Sequence, residues 1–180
     1  MRSSRIAVTA LAALLAGSQV AEAKTFKLAS LAPADSAWGR LITEMSAEVA
    51  KATGGKVKFK SYLGGKLGDE SKVAKKLGRG LDGAFFTGQG MGILLPAFRV
   101  TELPFLVEST ADADKLREAL WPEFEKAFEA DTKFVLLGPG ETGEVYVFSK
   151  QKISTVDDLK KARLWVWEGD QVASDSFAVF

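Results

Sequence analysis

The sequence predicts an α/β fold with a mostly parallel sheet, because apolar strands alternate with amphipathic helices along residues 26–89. Residues 56–63 alternate lysines with apolar side chains, the pattern of a half-buried strand. Glycines within residues 64–68 break that pattern, and a short helix is expected over residues 70–77. Residues 81–87 are apolar and predict a second buried strand. A strand–helix–strand of this size is a building unit of a parallel sheet.

A strand and a helix precede this unit, so the chain opens as βαβαβ. Phe26–Leu31 is a short apolar strand, and either Asp35 or Ser36 can cap the helix that follows. That helix carries apolar side chains at helical spacing from Trp38 to Val49, and glycines end it.

The second half of the chain is predicted to mix links, strands and helices. Gly90–Pro96 is interpreted as a glycine-punctuated link, and Val100–Val107 as extended because of Pro104. Ser109 or Thr110 caps a helix, and Pro122 is placed at the start of another. The remaining predicted elements are strands over residues 134–137, 144–148 and 164–167, a short helix from Val156, and a helix capped by Asp170.

The first 23 residues predict a signal peptide. Arg2 and Arg5 precede a short apolar run, and Ala21-Glu22-Ala23 supplies the small-x-small pattern of a cleavage site. The apolar run is shorter than the roughly 20 residues that span a bilayer. We therefore expect export to the periplasm, cleavage after Ala23 and no membrane insertion afterwards.

Composition argues against several classes of protein. The chain has no cysteine and no histidine, so the commonest zinc ligands and the commonest general base are missing, and no cofactor or metal is predicted. Lysine plus arginine number 24 and aspartate plus glutamate 23, a balance that gives no reason to expect a nucleic-acid partner. The segment Gly138–Gly143 matches G-x-G-x-x-G, but a strand pattern follows where a dinucleotide site needs a helix. We predict that the protein is not an enzyme.

Two places are candidates for ligand contact. Ligands favour the carboxyl ends of parallel strands, which directs attention to Phe86, Thr87 and Gln89. Trp165 and Trp167 share one face of the last predicted strand. They either pack in a core or line a ligand pocket, since aromatic side chains serve both purposes.

Four ordered motifs carry a resemblance to a known family. They are Tyr62–Glu70 (YLGGKLGDE), Gly80–Gly83 (GLDG), Leu103–Leu106 (LPFL) and Val156–Lys160 (VDDLK). With them the chain resembles the solute-binding proteins of tripartite ATP-independent periplasmic (TRAP) transporters, of the dicarboxylate-binding-protein type.

The resemblance implies a periplasmic-binding-protein-like fold in which two α/β lobes close on a small organic solute and dock on TRAP permease membrane subunits. By position it transfers solute contacts to Ser30, Phe86, Thr87, Val145 and Trp165. Family members carry arginines where Val145 and Trp165 stand, and such arginines bind carboxylates through paired hydrogen bonds. Their replacement favours a neutral or hydrophobic solute.

The resemblance also divides the chain into 1–23 as signal peptide, 24–149 as first α/β lobe and 150–180 as the start of a second lobe. Because family members are considerably longer, the sequence is expected to be a C-terminally truncated form or a fragment. An alternative is an exported sensing or adaptor domain that reuses the lobe to contact a protein, or a truncated product without function.

Overall fold

The computed structural model describes residues 22–143 and 146–179. Its three strands are β1 (Lys24–Ser30), β2 (Val57–Tyr62) and β3 (Gly83–Phe85). Its α-helices are α1 (Ala37–Ala52), α2 (Glu70–Lys76), α3 (Gly88–Leu94), α4 (Thr110–Asp131), α5 (Val156–Lys160) and α6 (Gln171–Ala178), and a 3₁₀-helix covers Pro96–Glu102. The signal peptide prediction falls almost entirely outside the described residues.

The described residues form two compact units. One comprises residues up to Asp69 together with Lys75–Phe85, and the other comprises Glu70–Ala74 together with the residues from Phe86 onward. The predicted lobe boundary after residue 149 stays a prediction.

The first unit contains a parallel sheet in the order β2-β1-β3. Lys24 is in register with Val57, and Ser30 with Phe85, so β1 is the central strand and the predicted βαβαβ order is confirmed. The carboxyl ends of parallel strands lie along one edge of a sheet. Ala29 near the end of β1 and Ile42 of α1 are both buried, and α1 packs against β2, as the sheet and helix layers of a βαβ unit require.

Local side-chain bonds explain where the elements of this unit begin. The Ser36 hydroxyl accepts a hydrogen bond from the Gly39 amide at 3.1 Å, so Ser36 rather than Asp35 caps α1. The Asp82 carboxylate accepts from the Lys27 amide at 2.7 Å, just before β3. That bond ties the GLDG motif to the central strand.

The second unit is built on α3 and α4. Buried Met91 and Leu95 pack against buried Phe124 and Phe128 of α4, and the rings of Phe98 and Phe124 lie 4.7 Å apart. The prediction of a glycine-punctuated link over Gly90–Pro96 was therefore wrong. Packing against α4 stabilises a helix that its glycine content disfavours.

Two further predictions in this region were wrong. Pro122 lies inside a single helix of 22 residues and does not begin a new one. Proline removes one hydrogen bond of the helix interior. Phe124 and Phe128, which follow Pro122 in the same helix, are buried, and their burial outweighs that loss. Val100–Glu102, expected to be extended, belong to the 3₁₀-helix.

The predicted strands of the second half are not formed in the described residues. Phe134 and Leu136 pack against the α3–α4 core, whereas Val135 and Leu137 are exposed, so the segment is extended and one face is covered. Residues 164–167 alternate in the same way, and of residues 144–148 only 146–148 are described, without strand pairing. A strand needs a neighbour for its backbone groups, and no described segment pairs with these three.

The short helices begin as predicted. Thr155 and Asp158 form a capping box at α5, and the backbone amide of Ser154, with further bonds from Thr155, holds the pKa of Asp158 below its usual value. Asp170 caps α6 by accepting from the Ala173 amide at 3.1 Å. In the described part of the chain, no helix combines the length and apolar character needed to cross a membrane.

Candidate functional site

Ser30, the predicted contact at the end of β1, is buried in the first unit. Its hydroxyl accepts a hydrogen bond from the Ala32 amide at 3.1 Å, and its carbonyl accepts from the Gly65 amide at 3.2 Å. Both bonds shape the turns that follow β1 and β2, so the side chain has a local structural role in addition to any contact with a ligand.

The predicted residues at the start of α3 belong to the second unit and differ from one another. The Phe86 ring is partly buried against the α3–α4 core. Thr87 is exposed but is held by Glu70, whose two carboxylate oxygens accept from the Thr87 amide and from the Thr87 hydroxyl, each at 2.6 Å. Phe86 therefore anchors this loop to the core, and Thr87 is the residue of the loop that solvent reaches.

Glu70, which holds Thr87, was not predicted from the sequence as part of the candidate site. It is only 6% exposed, although glutamate is almost never fully buried unless it is paired. A signal was present, because Glu70 shares a helical face with Val73, Ala74 and Leu77 at the i, i+3, i+4 and i+7 positions. A carboxylate on the apolar face of a helix needs a partner inside the fold, and that partner is Thr87.

Three glycines of α3 accommodate three charged side chains. A Cβ atom at Gly90 would lie 2.7 Å from the Glu70 carboxylate, and one at Gly88 or Gly92 would overlap Glu102 or Arg99 respectively. Glycine is thus needed at alternate positions because charged side chains approach the helix backbone.

Those charges form a network with Asp170. Arg99 pairs with Asp170 at 2.5 Å and also with Glu102. Burial raises the pKa of Glu102, the Arg99 guanidinium opposes this rise, and the negative charges of Asp170 and Glu70 add to it. Within residues 22–143 and 146–179, no group of three or more acidic side chains is placed to hold a metal ion.

Gln89 joins the start of α3 to the last extended segment. Its amide nitrogen donates to the Glu168 carbonyl at 3.2 Å, one residue beyond Trp167. The structure therefore brings together two of the predicted regions, the loop at Thr87–Gln89 and the tryptophan segment, within the second unit.

The tryptophans line an open groove of about 460 Å³. Trp165 and Trp167 are 72% and 52% exposed, and their rings meet edge to face at 4.6 Å. Arg163 lines the same groove, and among the described residues no carboxylate pairs with it. Both rings are more than half exposed, so they do not pack in a core of the described residues, and their contact with a ligand stays a prediction.

The groove combines three kinds of contact. Aromatic rings present an apolar face, and Arg163 and Asp170 supply one positive and one negative group. Its volume lies within the range of small-molecule pockets. Val145, the remaining predicted contact, lies outside the described residues.

Comparison with solved structures gives the class of protein. The fold is similar to a TRAP periplasmic solute-binding protein from a Sulfitobacter species with bound β-D-galacturonate, at 26% identity and a TM-score of 0.55 over 60% of this chain and 37% of that one. It is also similar to one from Chromohalobacter salexigens with bound D-glucuronate, at 28% identity and a TM-score of 0.53 over 59% of this chain and 36% of that one. The class is that of the periplasmic solute-binding proteins, as the sequence resemblance implied.

The chain belongs to the bacterial extracellular solute-binding protein family 7, whose family model matches residues 28–177. A curated solute-binding protein from Chromohalobacter salexigens is 27% identical over 155 residues, which are 85% of this chain and 46% of that protein. This chain thus spans about half the length of that relative and little more than a third of the solved structures.

Proposed function

We propose that this protein is a solute receptor of a TRAP-type transporter that binds a hydroxylated organic acid, of the sugar-acid class, and delivers it to membrane permease subunits. The observation that carries the proposal is the groove in which Trp165, Trp167 and Arg163 stand together, with no carboxylate of the described residues paired to Arg163. Such a receptor captures and releases its solute without chemistry. We propose that it acts in the periplasm after removal of a signal peptide ending at Ala23.

The chemistry of a sugar acid fits these side chains. A pyranose ring has an apolar face of C–H groups that can lie against an indole ring, and its carboxylate can form paired hydrogen bonds with a guanidinium. Thr87 and Gln89 add polar groups near the same region of the second unit. Two relatives at 26% and 28% identity hold uronates, which supports the same class of solute here.

The neutral or hydrophobic solute expected from the sequence is the second candidate. The observation in its favour is the acidic surplus beside the groove, where Arg99 faces both Glu102 and Asp170. That expectation rests on the missing arginines at positions 145 and 165, and it gave Arg163 no role because Arg163 lines up with a different position of the family. Arg163, two residues earlier on the same face, can serve a carboxylate in their place.

A thermal-shift screen of the protein tests both candidates. The panel pairs D-galacturonate with D-galactose and D-glucuronate with D-glucose, and adds succinate. A ligand at 100 times its dissociation constant stabilises the folded state by about 2.7 kcal/mol. We expect the uronates to raise Tm and the neutral sugars to have a smaller effect. A shift from the neutral sugars alone, or no shift from any compound, would refute the sugar-acid proposal.

Variants locate the site. Arg163→Gln should abolish the preference for uronate over neutral sugar, and Trp165→Ala should weaken binding of both. Trp121→Ala is the matched control, since the Trp121 indole nitrogen donates to Glu125 of the same helix at 2.7 Å, away from the groove. Equal losses from Trp165→Ala and Trp121→Ala would mean that Trp165 acts through stability alone.

A further inference from the structure

Thr87 and Glu70 form a pair whose hydrogen-bond directions are defined. The Thr87 amide donates to one oxygen of the Glu70 carboxylate and the Thr87 hydroxyl donates to the other, both at 2.6 Å. Glu70 is buried, whereas Thr87 is exposed. One carboxylate therefore holds both the backbone and the side chain of an exposed threonine.

We propose that Glu70 fixes the Thr87 hydroxyl as a hydrogen-bond acceptor toward solute, so that the bound solute presents a hydroxyl or N–H donor, and not its carboxylate, at Thr87. The inference rests on the proposed function, in which Thr87 contacts the solute. It assigns Glu70 as a positioning residue that selects the polarity of a contact without touching the solute.

The polarity follows from proton counting. A threonine hydroxyl has one proton and two lone pairs, and an ionised carboxylate can only accept. The proton of Thr87 is therefore committed to Glu70, and only lone pairs remain for a ligand. A solute carboxylate brought against those lone pairs would meet acceptor against acceptor, an unpaired contact that costs binding free energy.

The Glu70 carboxylate has little freedom to turn away from the Thr87 hydroxyl. A Cβ atom at Gly90 would lie 2.7 Å from the Glu70 carboxylate carbon and from one of its oxygens, so the group lies close against the backbone of α3. The Phe86 ring would lie 2.5 Å from the same atom, so the ring and the carboxylate both occupy the space that a side chain at position 90 would take. This close packing keeps the carboxylate facing Thr87.

The contact also agrees with the orientation expected of a sugar acid. Arg163 in the groove is the cation for the carboxylate, and Thr87 is left for a ring hydroxyl. Each end of the solute then meets a group of matching polarity, which discriminates against analogues that lack the hydroxyl.

The first test needs no solute. In the ligand-free protein we expect an NMR signal from the Thr87 hydroxyl proton that exchanges slowly with water, as for Thr132, whose hydroxyl donates to the Phe128 carbonyl at 2.7 Å. Glu70→Gln should remove the Thr87 signal and leave the Thr132 signal unchanged. A Thr87 hydroxyl that exchanges as fast as an unbonded threonine would overturn the inference, whatever the protein binds.

The second test is a double-mutant cycle in which the binding of D-galacturonate is measured by calorimetry. Thr87→Val should weaken binding about tenfold, the equivalent of one hydrogen bond, and Thr87→Ser should preserve it. Glu70→Gln should weaken binding about as much in the presence of Thr87 and not further in the Thr87→Val background. Additive losses would show that Glu70 only supports the fold, and would overturn the inference.

The two proposals fail differently. If no compound of the panel binds, the proposed function fails, and the hydroxyl signal alone decides whether Glu70 holds Thr87 in the acceptor state. If uronates bind and the cycle is additive, the function stands and the role of Glu70 does not.

Discussion

Phe128→Ala probes the contact between α3 and α4, which the sequence did not predict. Phe128 is 3% exposed and belongs to the cluster formed with Met91, Leu95 and Phe124. Truncation loses the transfer free energy of a buried aromatic side chain, about 2–3 kcal/mol. It also leaves a cavity that costs about 24 cal/mol for each Å³ left unfilled.

The two terms give about 3–5 kcal/mol, the range found when buried phenylalanine is truncated to alanine. Alanine's higher helix propensity returns about 0.5 kcal/mol. We therefore expect the free energy of unfolding to fall by about 2.5–4.5 kcal/mol. With an m-value of about 2 kcal/mol per M, the urea midpoint should fall by about 1.2–2.2 M.

The assay is urea unfolding followed by tryptophan fluorescence and by circular dichroism. Phe148→Ala is the matched control, because Phe148 is almost fully exposed and its loss should change stability by less than about 0.5 kcal/mol. Phe128→Leu should cost about 1–1.5 kcal/mol and keeps the test informative if the alanine variant does not fold. Equal midpoints for Phe128→Ala and Phe148→Ala, with an unchanged m-value, would refute the α3–α4 core.

Three further predictions concern single groups. Burial raises the pKa of Glu102 above its usual 4.5, so the folded state holds this proton more tightly, and the contribution of Glu102 to stability falls as pH rises through the raised pKa. The Tm of Glu102→Gln should therefore change less between pH 4 and pH 8 than the Tm of the unchanged protein. An equally steep Tm profile in the variant would contradict the assignment. Phe105 is exposed with a φ of 64°, so Phe105→Gly should be more stable than Phe105→Ala by about 1 kcal/mol in urea unfolding, and the reverse order would show that the backbone there is unstrained. Thr155→Val removes the cap of α5 and should destabilise that helix by about 1 kcal/mol, measured as faster amide exchange in α5 with α6 unchanged.

Much of the first unit could be predicted because its signals are local. Alternating side chains define β1 and β2, and serine caps α1 within three residues of its own position. The order of these elements along the chain is enough to indicate a parallel sheet, since parallel strands need a crossover helix between them. The four family motifs likewise lie in continuous stretches, and the membership they implied is confirmed.

The candidate site could be predicted only in part. Thr87, Gln89 and the two tryptophans were predicted from strand ends and alternation, which depend on neighbours in sequence, and their contact with a ligand stays a prediction. Glu70 was not predicted, because its partner lies 17 residues away and its burial is visible only when α2 and the start of α3 are packed together.

The glycines of α3 show most clearly what could not be predicted from neighbours in sequence. Glycines at alternate positions indicate a link when only the adjacent residues are considered, since glycine weakens a helix. In the folded chain the same glycines leave room for Glu70, Glu102 and Arg99, and the helix forms because Met91 packs against α4. Residues 134–137 and 164–167 show the converse, because their strand pattern is intact while no described segment pairs with them. The sequence by itself determined the periodicity of the helices and strands, the helix caps and the family. The tertiary structure decided which backbone groups found hydrogen-bond partners and which charged side chains were buried together. These two outcomes depend on contacts between segments that are distant in sequence.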